Sequence, residues 1–179
     1  MLLGPKKLLE LVKKKKLVEG LASRELENPE GAGFDLRIGE LFKISGKAFL
    51  GIDQRQTPKE KLVASYRDKS RKKYTIKPGE FFLARTIESV NLPDNLAAHN
   101  FPRSTLFRSG IQLLVTQVAP GYKGKLTFGI KNVGNVAVTI EMGARISHIQ
   151  FLEVAGGGSH YRGQWQGGRV AASKKEKQV

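Results

Sequence analysis

What most constrains this chain is how it is punctuated. From Gly31 onward, short apolar segments alternate with Gly, Pro and Asn. Phe34 to Ile38, Leu41 to Ile44, Lys61 to Tyr66, Phe81 to Leu83, Leu113 to Val118, Lys125 to Lys131, Val136 to Ile140 and Ile146 to Val154 read as strands. Turn signals stand between several of them: Lys77-Pro78-Gly79, Pro120-Gly121, Val133-Gly134-Asn135 and Met142-Gly143. Many short strands at this spacing predict an all-β sandwich, barrel or jelly roll. Lys125 to Lys131 alternates most cleanly, with Leu126, Phe128 and Ile130 on one face and Lys125, Thr127, Gly129 and Lys131 on the other. Ahead of this region a short helix is expected. Pro5 suits a first helical position, Leu8, Leu11 and Val12 share one face, and Lys13 to Lys16 suit the negative end of the helix dipole. No internal repeat is visible. The chain divides into a domain over 1–154 and a C-terminal segment over 155–179, rich in Gly and then Lys, that is expected to be a mobile lid and basic tail.

Composition narrows the function classes. A chain of 179 residues, 40% of them apolar, buries a full core without metal or disulfide staples. There is no cysteine, which excludes disulfides, thiolate nucleophiles and Cys-ligated zinc and fits a reducing compartment; the three histidines leave little room for a His-rich metal site. No apolar run approaches the roughly 18 residues of a membrane span. The lysines of the N-terminal segment follow its leucines instead of preceding them, unlike a signal peptide. A cytoplasmic protein without membrane contact is expected. The net charge of +15 invites a nucleic-acid reading. Its excess is gathered at Lys13 to Lys16, at Lys69 with Arg71, Lys72 and Lys73, and at Lys174, Lys175 and Lys177. Clusters at ends and in a loop are expected to form solvated surface, so direct nucleic-acid binding is disfavoured, and a phosphorylated small substrate gains from the same field.

Two segments hold chemistry. Pro102-Arg103-Ser104-Thr105-Leu106-Phe107-Arg108-Ser109-Gly110 concentrates guanidinium and hydroxyl groups, which are good phosphate ligands. The alternative is a helix start capped by Ser104, with Arg103 and Arg108 in surface pairs. Pro120-Gly121-Tyr122-Lys123-Gly124 reads as a turn feeding the clean strand, its tyrosine either stacking on a ligand or plugging the core.

Together with two further segments, these form an ordered pattern. Gly31-Ala32-Gly33-Phe34-Asp35-Leu36-Arg37 resembles the first motif of the dUTPase and dCTP deaminase superfamily, and Pro102 to Leu106 the second. Gln117 to Lys125 resembles the third motif, and Gly143-Ala144-Arg145-Ile146-Ser147-His148-Ile149-Gln150-Phe151 the fourth. The basic N-terminal helix and Tyr161-Arg162-Gly163-Gln164 are similar to the dCTP deaminase branch, archaeal dUTPases included. The resemblance implies a distorted jelly-roll β fold of the β-clip kind, a homotrimer with sites between subunits, and deoxynucleoside triphosphate substrates with Mg²⁺. It implies that Arg103, Ser104, Thr105 and Arg108 hold triphosphate oxygens, some from a neighbouring subunit. By the same resemblance Gln117, Tyr122, Lys125, Thr127 and Gly129 lie beside base and sugar, and Gln164 closes over the phosphates.

Two departures set the expected activity. The deaminases carry a proton-shuttling glutamate where this chain has Gly129, so deamination is disfavoured and dUTP hydrolysis to dUMP and pyrophosphate is expected. The family also carries an aspartate, the general base of the dUTPases, where this chain has Ala119. Either the base is lost or relocated, or the position was changed deliberately; loss of a general base costs about 10²- to 10⁴-fold in rate. Asp35 is a candidate surviving acid, but a structural role inside the first motif is preferred for it, and His99 and Asn100, just ahead of the arginine motif, are weaker candidates still. The expectation is a dUTP diphosphatase-like protein impaired at Ala119. A dCTP deaminase, alone or bifunctional, and a non-catalytic nucleotide binder remain alternatives. Arg103→Ala is expected to weaken binding and spare the fold.

Overall fold

The computed structural model describes residues 1–177; Gln178 and Val179, the end of the expected tail, lie outside the described residues. Helix α1 (Pro5–Lys15) starts at the proline, as expected. Leu8 is fully buried and Leu9, Leu11 and Val12 pack on the core, while Lys13, Lys14 and Lys15 fill the last turn. Strand β1 (Val18–Glu19) and helix α2 (Ser23–Glu27) follow.

Strand β2 (Phe34–Ser45) runs as one element through both segments that Gly39-Glu40 separates in the sequence. Its register against β7 (Phe81–Asn91) shifts between Ile38 and Glu40, a bulge that absorbs the glycine without ending the strand. The intervening β3 (Phe49–Leu50) and β4 (Gln54–Gln56) form a small hairpin, and β5 (Lys59–Ser65) pairs with β2. A 3-10 turn over Lys69–Arg71 leads into β6 (Lys73–Ile76), so that lysine cluster lies on ordered elements and not in a loop. Strand β7 is far longer than Phe81 to Leu83. Its inward positions are Phe82, Ala84, Thr86, Glu88 and Val90, and the two polar residues hide the alternation. Both are satisfied inside. Thr86 Oγ1 donates to Glu88 O (2.6 Å) and accepts from the Leu126 amide (3.0 Å), and Arg37 Nε donates to Glu88 (2.7 Å).

Strand β8 (Leu96–Pro102), short helix α3 (Ser104–Arg108) and β9 (Ile111–Leu114) come next, then β10 (Lys123–Asn132), β11 (Val138–Glu141), β12 (Arg145–Glu153) and β13 (Glu176–Lys177). Strand β10 alternates as the sequence predicts. The principal sheet runs β8-β12-β2-β7-β10-β9, antiparallel throughout, with β1 and β5 attached to its path. It curls into a nearly closed barrel around Phe34, Ile38, Phe82, Ile130 and Phe151, the distorted jelly roll expected. The predicted strand Leu113 to Val118 divides at the seam. Only residues up to Leu114 stay on β10, and Val118 instead exchanges two backbone hydrogen bonds with Ala98 of β8 (3.0 and 2.8 Å). Because β9 pairs with β10 only from Gly129 onward, Lys125 to Phe128 have a strand partner on the β7 side alone. That gap positions the site.

Candidate functional site

The gap is a cavity of about 340 Å³. Asn100 of β8, Gln117 and Ala119 of the crossing segment, Tyr122 of the turn, Thr127 of β10 and Trp165 of the C-terminal segment are among the residues that line it. The turn is fixed from several sides. Tyr122 N–H donates to Ala119 O (3.2 Å), Gly121 N–H to Leu92 O (3.1 Å) and Leu92 N–H to Tyr122 O (3.0 Å). Gly121 is required here. Its φ is +76°, and a Cβ would overlap the ring of His160, which Asp94 holds at 2.7 Å. The tyrosine is both plug and wall. It is buried, donates its hydroxyl to Lys125 O (2.8 Å) and meets Tyr161 edge-on at 5.3 Å between ring centres. Burial, with Tyr161 beside it, pushes its phenol up to about 12, so it remains a neutral donor.

Over the cavity the segment after Ala155 is seated as a strap. Tyr161 N–H donates to Pro120 O (2.8 Å) and Gly167 N–H to Lys123 O (2.8 Å), and the Gln166 side chain bridges Lys123 N–H and Gly121 O (2.9 and 3.0 Å). At Gly168 the strap backbone comes so close to β10 that a Cβ would lie 2.8 Å from the Lys125 nitrogen, and its φ is +79°. We expect Gly168→Ala to lift the strap, costing about 1–3 kcal/mol; faster amide exchange confined to 160–170 would register it. Gln164, the expected lid residue, is not among the cavity-lining residues and donates to Glu176 Oε2 (2.8 Å). Beyond it Arg169 lines the cavity and pairs with Glu176.

Of the expected base- and sugar-side residues, the cavity brings together Gln117, Ala119, Tyr122 and Thr127. Lys125 and Gly129 lie outside its lining. Lys125 sits 3.9 Å from Glu40, which accepts from Arg85 at 2.7 Å, and loss of solvent lowers the lysine's pKa. Gly129 faces Leu114 and Phe81. No Asp or Glu is among the lining residues.

The arginine motif lies apart from this cavity within one chain. Ser104 is the first residue of α3 and Arg103 occupies the capping position without a side-chain cap, so the capping alternative fails in its expected form. Ser104, Thr105 and Arg108 are exposed, and Arg108 has no carboxylate partner among the described residues; its guanidinium lies 5.6 Å from the Phe107 ring centre. Arg103 has a second task that the sequence reading missed. Buried Asp35 accepts from Arg103 Nη1 (2.5 Å) and Arg145 Nη1 (2.9 Å), with Arg24 Nη1 at 3.6 Å, and its other oxygen meets His148 Nδ1 at 3.0 Å. Burial alone would raise the Asp35 pKa, but the hydrogen bonds of His148 and Arg103 and the charge of Arg103 outweigh it and hold the carboxyl below its ordinary range. Asp35 is therefore structural, and Arg103→Ala disturbs the fold as well as any ligand. The one hint in the sequence was that Asp35, Arg103, Arg145 and His148 fall within the first, second and fourth motifs.

The motif order and the seam together define a class, and comparison with known proteins gives it a name. The dCTP deaminase-like family matches residues 2–154. A dUMP-forming dCTP deaminase of Dictyoglomus thermophilum is 36% identical over 152 residues, 79% of this chain and 77% of that protein. A dCTP deaminase of Pyrococcus furiosus is 33% identical over 168 residues, covering 93% of this chain and 95% of its own. Among solved structures, the 2'-deoxycytidine 5'-triphosphate deaminase of Agrobacterium tumefaciens superposes with a TM-score of 0.64 at 19% identity, over 84% of this chain and about half (48%) of its own, which shows the shared fold. The chain belongs to the dCTP deaminase-like family. Among the described residues no helix is long and apolar enough to cross a membrane.

No group of three or more Asp, Glu, His or Cys side chains is arranged to hold a metal among the described residues, and the cavity offers only amide and hydroxyl oxygens.

Proposed function

We propose that this chain takes up a pyrimidine deoxynucleoside triphosphate, dCTP first, with base and sugar in the seam cavity and the triphosphate on Arg103, Ser104, Thr105 and Arg108. The observation that carries the reading is the cavity itself, walled by third-motif residues and roofed by aromatic side chains of the strap. The curated relatives' names favour dCTP over the dUTP expected from the sequence. Their chemistry sets a further demand. Deamination needs a group that moves protons while water adds to the ring and ammonia leaves, and no carboxylate lines this cavity. The chain is accordingly a nucleotide-binding homologue with slow deamination. Hydrolysis of dUTP ranks second and lacks a general base in the same way.

The separation of the arginine motif from the cavity within one chain supports a cyclic trimer in which a neighbouring copy supplies the phosphate side. Mg²⁺ then belongs to the triphosphate and not to the protein.

Calorimetry with dCTP and dUTP, each with Mg²⁺, followed by assays for ammonia and pyrophosphate, tests this. Binding without rapid product is expected. Binding of neither nucleotide would overturn it, and ammonia released at an ordinary enzymatic rate of about 1 s⁻¹ or more would show an acid supplied from elsewhere. Because Arg108 has no carboxylate partner among the described residues, Arg108→Ala should weaken dCTP binding about tenfold or more, the weight of a charge-assisted hydrogen bond, and leave the melting temperature unchanged. An unchanged Kd would remove this residue from the phosphate site.

A further inference from the structure

Among the described residues, two buried polar atoms at the cavity have no partner. Asn100 is 5% exposed and its Nδ2 makes no hydrogen bond, although its Oδ1 accepts from buried Ser147 Oγ at 3.3 Å. Thr127 Oγ1 is likewise buried without a partner, and both residues line the cavity, from β8 on one side of the seam and β10 on the other. Folded proteins pair nearly all buried polar groups, since an orphan forfeits its bonds to water and gains none. Neither atom meets a partner among the described residues, although Gln117, Tyr122 and Arg169 line the same cavity. Thr127 faces away from the apolar side of its own strand.

We infer that Asn100 and Thr127 are specificity-determining residues that read the polar edge of the base, on the nucleotide reading proposed above. Asn100 Nδ2 donates to a carbonyl or ring-nitrogen acceptor. The Thr127 hydroxyl, which can donate or accept a hydrogen bond, answers the adjacent donor or acceptor. A pyrimidine presents such a pair side by side on one edge, and burial of both atoms places the recognition at the base instead of at the charged phosphates. Apolar heterocycles of the same size leave both atoms orphaned and are rejected, the usual origin of strong discrimination by buried polar groups.

The test uses Asn100→Leu combined with Ser147→Ala, which removes both members of the hydrogen-bonded pair together with the orphan and leaves no new unpaired atom. The double variant should melt no lower than the parent, because two apolar groups replace an incompletely satisfied polar pair. Its Kd for dCTP, by calorimetry, should be weaker by about tenfold or more. Affinity for inorganic tripolyphosphate, which has no base, should be unchanged. Thr127→Val is the second variant, nearly isosteric and less deeply buried, and carries the test alone if the double variant does not fold; a weaker dCTP Kd with unchanged tripolyphosphate binding is again expected. Unchanged dCTP affinity in the folded variants would overturn the inference and mean that solvent satisfies these atoms. A parent chain that binds no pyrimidine nucleotide would instead remove the reading beneath it, and the inference with it.

Discussion

Ala119→Asp is expected to raise pyrophosphate release from dUTP by about 10²-fold or more, the usual weight of a general base. The position is prepared for it. Ala119 lines the cavity, its carbonyl is held by the Tyr122 amide, and the following Pro120-Gly121 turn is pinned to Leu92, so a carboxylate added there enters the cavity from fixed backbone. Binding should change less than rate, because Arg103 and Arg108 are untouched. Deamination of dCTP should not rise above its slow rate in the parent. The second acid would have to stand at Gly129, where a Cβ meets Leu114 and Phe81 at 3.1 Å and their side chains must move aside. Pyrophosphate release measured for both chains under saturating dUTP decides the matter. Equal rates would mean that the base, if there is one, stands elsewhere.

Asp35→Asn should destabilise the protein by about 3–5 kcal/mol near neutral pH, the cost of removing one partner from a buried ion pair. The carboxylate is the shared acceptor of Arg103, Arg145 and His148, with Arg24 close by. Its removal leaves three guanidinium groups facing an amide. The pH dependence follows from the direction of its shift. A carboxyl whose pKa is held down by folding contributes stability that is fully present above the ordinary carboxylate pKa and is lost as pH falls through the lowered folded value. Denaturant midpoints for the two proteins should therefore lie far apart at neutrality and converge below about pH 4. A constant difference across that range would assign the acid sensitivity to other carboxylates.

Where side-chain character and burial agree, local pattern revealed the structure. Strand β10 could be read residue by residue because its inward side is Leu126, Phe128 and Ile130 and its outward side is small or polar. Strand β7 could not, because Thr86 and Glu88 point inward and are met by the Leu126 amide and by Arg37, partners distant in sequence. Strand β8 was hidden for a related reason. Its Ala, His, Asn and Pro have little strand preference, and β12 imposes its extension. The site was legible in part. Motif resemblance located Ala119, Tyr122 and Thr127 on the cavity, whereas the Asp35 cluster joins side chains of α2, β2, β12 and the α3 cap, which no periodicity connects. The C-terminal glycines suggest a mobile lid, and that remains a proposal. In the structure they also let the strap lie against β10, a contact that depends on backbone proximity and not on side-chain character.

The barrel's seam has a mechanical consequence. On the β8 side the wall is closed, among the described residues, by an isolated bridge from Ala98 to Val118 and by the strap lying across the seam. A molecule lodged there touches both rims at once, through Asn100 on one side and Thr127 on the other. It acts as the missing stave of a cask, and its grip adds to the force that keeps the hoop from springing open. Uptake should then show as heat resistance, with the melting temperature climbing with the logarithm of ligand concentration once the sites are filled.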